Sequence, residues 1–104
     1  VYAESAKRGE FIWSPVTQSW LNIVLIRNSG TVSLYINNEL IGTPFTMNTD
    51  INLLSSRSMY LMRTVAAGNQ FTNGKISTFS LYDRALSNDE ISQNYNALKD
   101  RYGL

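Results

Sequence analysis

Acid–base chemistry in this sequence can come only from carboxylates, lysines and tyrosines. Histidine and cysteine are both absent, which excludes Ser-His-Asp and Cys-His nucleophiles, thiolate chemistry, disulfide bonds and nearly every zinc, copper or iron site. Asp89 and Glu90 are adjacent carboxylates, but they stand where a helix is predicted to begin, and helix capping explains them. We therefore expect no catalytic residue and predict that the protein is not an enzyme.

Calcium is the metal that the oxygen ligands of this chain would favour. Asp50 lies between Asn48 and Asn52, and carboxylate, amide and backbone carbonyl oxygens are the ligands that Ca²⁺ takes. A single carboxylate among neutral side chains binds the ion weakly, and a solvated turn is the interpretation that we prefer. Asp50 is nevertheless the candidate metal ligand, and Ca²⁺ is the candidate cofactor.

Neutral hydrogen-bonding side chains dominate the polar composition. Asn, Ser and Thr make up 31 of the 104 residues, against 17 charged residues; this composition is typical of β-turns and also suits neutral polar ligands such as glycans. Trp13, just before Ser14-Pro15, is the candidate aromatic platform for a sugar, with a buried core position as the competing interpretation. The candidate polar ligand residues are Asn69, Gln70 and Asn73, in the loop around Gly68, together with the nearby Arg63.

Charge and hydropathy exclude several partners. The net charge is +1, too small to attract nucleic acid, and no apolar run reaches the length of about 18 residues that a membrane span requires. The chain begins at Val1 without a signal-peptide pattern. We expect it to be a piece of a longer protein, or processed.

The strongest β-strand patterns lie in the first half of the chain. Residues 19–27 are almost continuously apolar, which predicts a strand covered on both faces, with Trp20 in the core. Residues 31–37 alternate in polarity, which predicts a strand with these residues facing inward: Val32, Leu34 and Ile36.

The turns and the weaker patterns complete the β-rich part. Asn37-Asn38 predicts a type I′ hairpin into a return strand that ends at Gly42 and Pro44. Further short strands are predicted at residues 11–13, 59–63 and 75–82.

The C-terminal segment changes to helical periodicity. Ser87 with Glu90 three residues later is a capping box, and Gly103 supplies the C-terminal stop. We predict a helix over about 88–102, with one apolar stripe packed on the sheet: Ile91, Tyr95, Leu98 and Tyr102. Several short strands followed by one helix predict an all-β, antiparallel β-sandwich or jelly roll with a short C-terminal α-helix.

Three stretches resemble the laminin G-like, concanavalin A-like jelly-roll family. Residues 20–37 resemble its central hairpin, residues 71–76 are similar to a strand entry, and residues 81–91 are similar to its closing motif, hYxRALSxxEI. Residues 95–104 resemble the C-termini of such domains in phage and other viral structural proteins. The chain departs from the family at Asn38, where glycine is usual, and in being shorter. We therefore expect the first strands of the sandwich to lie in a preceding part of the protein or to be supplied by a partner chain.

The resemblance implies one laminin G-like domain over residues 1–104, at the C-terminal end of a longer protein. It implies a non-catalytic binding or adhesion module of a viral structural or surface protein, in a multi-copy assembly on a virion or extracellular surface. Its partners would be other structural subunits, glycans or both. A purely architectural capsid, decoration or fibre component stays open as the alternative. The paired-carboxylate run of the family's glucanases is absent, which argues against a glycoside hydrolase.

Overall fold

The structure, a computed structural model, describes residues 2–3, 6–7, 9–14, 18–47, 61–62 and 72–104. Its contacts divide the chain into two compact units. The first consists of Val1–Thr49 together with Tyr82–Leu104, and the second of Asp50–Leu81. No helix in the described part of the chain is long and apolar enough to cross a membrane.

The first unit combines antiparallel strands with one helix, as predicted. Its elements in chain order are β1 (Tyr2–Ala3), β2 (Ala6–Lys7), β3 (Ile23–Asn28), β4 (Thr31–Ile36), β5 (Glu39–Thr46) and α1 (Asn88–Tyr102). β1 and β2 form a two-stranded hairpin, and β3, β4 and β5 form a three-stranded sheet in that order, with antiparallel pairing throughout. The predicted fold class, antiparallel β structure with a short C-terminal helix, is confirmed.

The core lies along one face of the central strand β4. Val32, Leu34 and Ile36 are buried, as their alternation predicts, because successive side chains of a strand point to opposite faces. Phe45 pairs with Val32 in the register, so it shares their face. Met47, just after β5, is also buried and donates its N–H to the Gly30 carbonyl at 2.6 Å.

The prediction that β3 is covered on both faces is wrong for this structure. Ile23 and Leu25 pair with core residues of β4, yet each is 56% exposed. β3 is an edge of the described sheet, whereas Phe11 packs against Phe45 on the opposite edge strand. Trp20 is also not a core residue, because it is 41% exposed.

The hairpin turn at the end of β4 forms as predicted, whereas the return strand is longer than predicted. Asn37 and Asn38 have φ angles of 49° and 69°, the positive values that a type I′ turn requires. β5 then continues past Gly42 and Pro44, because its register against β4 shifts between Val32 and Leu34. Such a bulge accepts a glycine with φ of 63° and a proline that cannot donate to the ladder.

The helix begins and ends as its sequence predicts. Ser87 is extended, its hydroxyl accepts the Glu90 N–H at 3.2 Å, and the Glu90 carboxylate accepts the Ser87 N–H at 3.2 Å. Gly103 adopts a left-handed conformation with φ of 67°, and the Leu104 N–H reaches the Lys99 carbonyl at 2.9 Å. These bonds pair backbone groups that a helix end would otherwise leave without partners.

Two predicted strands are not found, and most of a third lies outside the described residues. Residues 11–13 and 75–82 form no regular element. Within the strand predicted over residues 59–63, Leu61 and Met62 are bends, and the φ of 60° at Met62 is incompatible with a strand. The other residues of this segment lie outside the described part. In the second unit, Ile76, Phe79 and Leu81 are at least half exposed, so among the described residues no neighbouring strand covers this apolar pattern.

Candidate functional site

An open cleft lies in the first unit where the β4–β5 turn meets α1. Its volume is about 430 Å³, within the range of roughly 300–1,000 Å³ that is typical of ligand pockets. The residues lining it are Trp13, Ser14, Leu21, Ile36, Asn37, Glu39, Ile41 and Tyr95. The cleft therefore combines two aromatic rings, three aliphatic side chains, two neutral polar residues and one carboxylate.

Trp13 reaches the cleft because the segment before it is anchored on β5. The Phe11 and Phe45 ring centroids are 5.1 Å apart, and Gly9 lies so close to Phe45 that a Cβ atom there would come within 2.6 Å of the ring. Trp13 itself is half-buried. It is therefore not a fully buried core residue, and part of its surface stays accessible.

The helical wall of the cleft is fixed by contacts on either side of Tyr95. The Tyr35 hydroxyl donates to Asn88 Oδ1 at 3.1 Å, and the Ser92 hydroxyl donates to Asn38 Oδ1 at 3.0 Å. About two helical turns beyond Tyr95, the rings of Tyr102 and Trp20 are 5.3 Å apart between centroids. These contacts confirm that the apolar stripe of α1 packs within the unit.

The turn wall of the cleft is held by a reciprocal pair of hydrogen bonds. The Asn37 N–H donates to the Asn22 carbonyl at 2.9 Å, and Asn37 Oδ1 accepts the Asn22 N–H at 2.9 Å. Glu39 follows the Asn37-Asn38 turn as the first residue of β5 and is exposed. Among the described residues of the lining, its carboxylate is the only charged group.

The adjacent carboxylates at the start of α1 serve the helix and not the cleft. Arg84 donates to both oxygens of Glu90, at 2.9 Å and 2.6 Å. This bond and the Ser87 N–H lower the pKa of Glu90 to about 2, and the same pair raises the pKa of Arg84. A carboxylic acid with so low a pKa stays ionised near neutrality, so it cannot act as the general acid of a glycosidase.

Of the other predicted site residues, the structure describes Asn73 alone. Asn73 is exposed and belongs to the second unit. The remaining candidates lie outside the described residues: Arg63, Asn69, Gln70 and the metal candidate Asp50. Among the residues that the structure describes, no three acidic side chains converge as a metal-binding group.

Trp13 is the only one of the eight described lining residues that the sequence predicts as a site residue, and the most informative of the others are Tyr95 and Glu39. The sequence predicts Tyr95 only as part of the packed stripe of α1, and Glu39 only as the start of a return strand. The one available signal was the position of Glu39 directly after a tight turn, where strand ends commonly carry binding groups. Tyr95 and Glu39 share a cleft with Trp13 because α1 is bonded to residues of β4 and its turn that lie more than 50 positions away in the chain.

Comparison with known proteins identifies a family and one similar fold. The laminin G-type family model, described as the concanavalin A-like lectin/glucanases superfamily, matches residues 7–92. A crystal structure of an S-layer domain-containing protein from Clostridium thermocellum is similar, with a TM-score of 0.69 and 24% identity. The match covers 82% of this chain and 43% of that one, so this chain spans less than half of its solved neighbour. The search of curated proteins gives no match.

Proposed function

Because the chain belongs to the concanavalin A-like lectin/glucanases superfamily, we propose that it is a non-catalytic binding and adhesion module. The observation that carries this proposal is the cleft, whose described lining offers the aromatic rings of Trp13 and Tyr95 with one carboxylate, Glu39. Glycoside hydrolysis requires two carboxyl groups across the scissile bond, whereas recognition by ring contact and hydrogen bonding requires none. Turnover of a β-glucan that is lost on replacing one carboxylate would contradict the proposal.

The ligands that we propose are glycans, neighbouring proteins or both. Trp13 supports the glycan part, because its half-buried ring can stack against a sugar while its packed side holds the ring in place. Contributions from Arg63, Asn69, Gln70 and Asn73, and a calcium ion at Asp50, rest on the sequence alone.

A glycan array probed with a multimerised form of the chain tests the glycan contact. Multivalent display is needed because a single shallow site binds weakly, and several linked sites raise the overall affinity. Trp13→Ala should reduce binding by at least about fivefold, in the range that truncating an interface hot spot produces. Ile12→Ala is the matched control, since Ile12 is the neighbouring residue, is 84% exposed and does not line the cleft.

The array separates the two kinds of partner. Binding that survives Trp13→Ala would show that the glycan site lies elsewhere. No binding to any glycan would leave protein contact as the adhesive role of the module.

A second function, an architectural component whose sheet is completed by a neighbour, is favoured by the exposed face of β3. Ile23 and Leu25 expose more than half of their surface on an edge of the described sheet, where apolar side chains and unpaired backbone groups favour association. Light scattering and circular dichroism of the isolated chain test this proposal. A folded monomer at all concentrations would contradict it, whereas association that Ile23→Lys suppresses would support it.

The wider context is also proposed. We place the module in a longer, multi-copy protein on a virion or other extracellular surface. The phage or viral origin is supported by the sequence of residues 95–104. The occurrence of a similar fold in an S-layer domain-containing protein supports a surface location only as an analogy of fold.

A further inference from the structure

We propose that the cleft at the β4–β5 turn binds an arginine side chain presented by a protein partner. This inference rests on the proposed binding function and specifies the chemistry of its ligand. It follows from three properties of the cleft lining, which are its charge, its aromatic rings and its aliphatic side chains.

The charge of the lining selects a cation. Among the described residues that line the cleft, Glu39 is the only carboxylate, and none is a lysine or arginine. An entering guanidinium would therefore meet a negative group without displacing an existing ion pair of the lining. The fork of two N–H···O bonds that arginine forms with a carboxylate adds geometric selectivity. Arg84 and Glu90 form this fork elsewhere on the same chain.

The aromatic rings favour the same ligand. Trp13 and Tyr95 line the cleft together with Glu39, and the faces of tryptophan and tyrosine attract a cation that lies within about 6 Å of the ring centroid. The flat guanidinium group can also stack on such a ring, which an ammonium group cannot do. On α1, Arg101 lies 5.5 Å from the centroid of the Tyr102 ring, so this pairing already occurs in the unit.

The aliphatic side chains favour a protein side chain over a sugar. Leu21, Ile36 and Ile41 line the cleft. A sugar hydroxyl buried against them would lose its hydrogen bonds to water and gain none from these side chains, which is unfavourable. The methylene stem of arginine loses no such bonds and gains apolar contact while its charged end reaches Glu39. The lining therefore fits an amphipathic side chain with a cationic end.

The walls that would contact the ligand are preformed. Asn37 is fixed by its two hydrogen bonds with Asn22, and α1 is tied to the turn through Ser92 and Asn38. A site that needs little rearrangement loses less conformational entropy on binding.

The experiment titrates the full chain with Nα-acetyl-arginine amide and follows the two tryptophan indole N–H signals by NMR. Trp13 lines the cleft, whereas Trp20 packs against Tyr102 and serves as the internal reference. We expect the Trp13 signal to move with a dissociation constant on the order of 1 mM. Nα-acetyl-citrulline amide, which has nearly the same shape without the charge, should cause little shift.

Two variants test the role of the carboxylate. Glu39→Gln should weaken arginine amide binding roughly three- to fivefold, the effect of removing an exposed ion pair, and added salt should weaken binding to the unchanged protein in the same direction. Asp100→Asn removes one negative charge from an exposed position on α1 that does not line the cleft, and it should leave the affinity unchanged.

The possible outcomes separate this inference from the proposed function. Equal shifts with the citrulline and arginine amides, or equal effects of Glu39→Gln and Asp100→Asn, would overturn the inference. Stronger Trp13 shifts with N-acetylglucosamine oligomers would overturn it while supporting the glycan-binding function. No shift with the arginine amide would also overturn it, and the glycan array would then decide the proposed function independently.

Discussion

Replacing Ile91 by alanine tests whether α1 is an integral part of the first unit. Ile91 is 1% exposed and is the only residue of the helix that is fully buried. It lies in the same helix as Tyr95, which lines the cleft, and next to Ser92, which bonds to the β4–β5 turn. Undocking of the helix would therefore also dismantle the candidate site.

The magnitude follows from the buried volume. The substitution removes three carbon atoms, at about 0.8 kcal/mol of transfer free energy each. The cavity left behind adds to this loss, and changes of this kind typically destabilise by about 2–5 kcal/mol. A value of about 3 kcal/mol lowers the melting temperature by roughly 12–24 °C in a chain of this size. The total stability expected for such a chain is only about 5–15 kcal/mol.

Urea unfolding followed by circular dichroism at the helix wavelength measures the change. Ile91→Val should lower the free energy of unfolding by about 1 kcal/mol. The loss should therefore increase from the valine to the alanine variant. Gln93→Ala is the matched control, because Gln93 lies two residues further along the same helix and is exposed. Its effect should stay within about 0.5 kcal/mol.

The result that would refute the reasoning is an Ile91→Ala protein as stable as the Gln93→Ala protein. Ile91 would then contribute no packing free energy, and the apolar stripe of α1 would be available to an external partner instead. A loss of helix signal without any effect on the tryptophan environment would show that α1 and the sheet unfold separately.

The helix ends and the N-terminal segment give three further expected outcomes. The pKa of Glu90 is about 2, against an ordinary 4.5, because of its bond with Arg84; the folded state thus binds fewer protons than the unfolded state between these values. The unchanged protein should therefore gain stability over Glu90→Gln as the pH rises from about 2 to about 4.5, and the difference should stay level above that pH. Urea unfolding midpoints of the two proteins across this pH range measure the difference. Gly103→Ala should cost about 1 kcal/mol in thermal unfolding, from backbone strain alone, because φ is 67° and no atom lies within 4 Å of an added Cβ. Gly9→Ala should cost about 1–3 kcal/mol, and a double-mutant cycle with Phe45→Ala should recover most of that loss.

A specific result would contradict each of these three predictions. A Glu90→Gln protein with the same acid unfolding profile as the parent would show that the pair with Arg84 does not persist in solution. Gly103→Asn should cost less than Gly103→Ala, since asparagine tolerates the left-handed region, and the reverse order would contradict the strain argument. Additive effects of Gly9→Ala and Phe45→Ala would show that the two residues are not in contact.

The features that could be predicted are those whose causes lie within a few residues. The capping box of Ser87 and Glu90 closes within a single helical turn, and the Asn37-Asn38 turn depends on two backbone conformations that asparagine tolerates. The inward face of β4 follows from strict alternation. The family motif at residues 81–91 adds to these local signals and agrees with the match over residues 7–92.

The features that could not be predicted depend on what a side chain meets across the fold. The apolar pattern at residues 19–27 is the same whether or not β3 is covered, so its exposed Ile23 and Leu25 were not foreseen. Similarly, Gly42 and Pro44 usually end a strand, yet a register shift against β4 carries β5 past them. Both outcomes are decided by the neighbouring strand and not by the residues themselves.

The amino-acid sequence thus determined the class of the protein, the helix with both of its ends, the tight turn and the absence of histidine and cysteine chemistry. Propensities, caps and turn conformations act over short distances along the chain, and the sequence displays them directly. Only the tertiary structure decided that Trp13, Glu39 and Tyr95 share one cleft, because the contacts that hold it join segments far apart in the chain, and no short-range pattern encodes them.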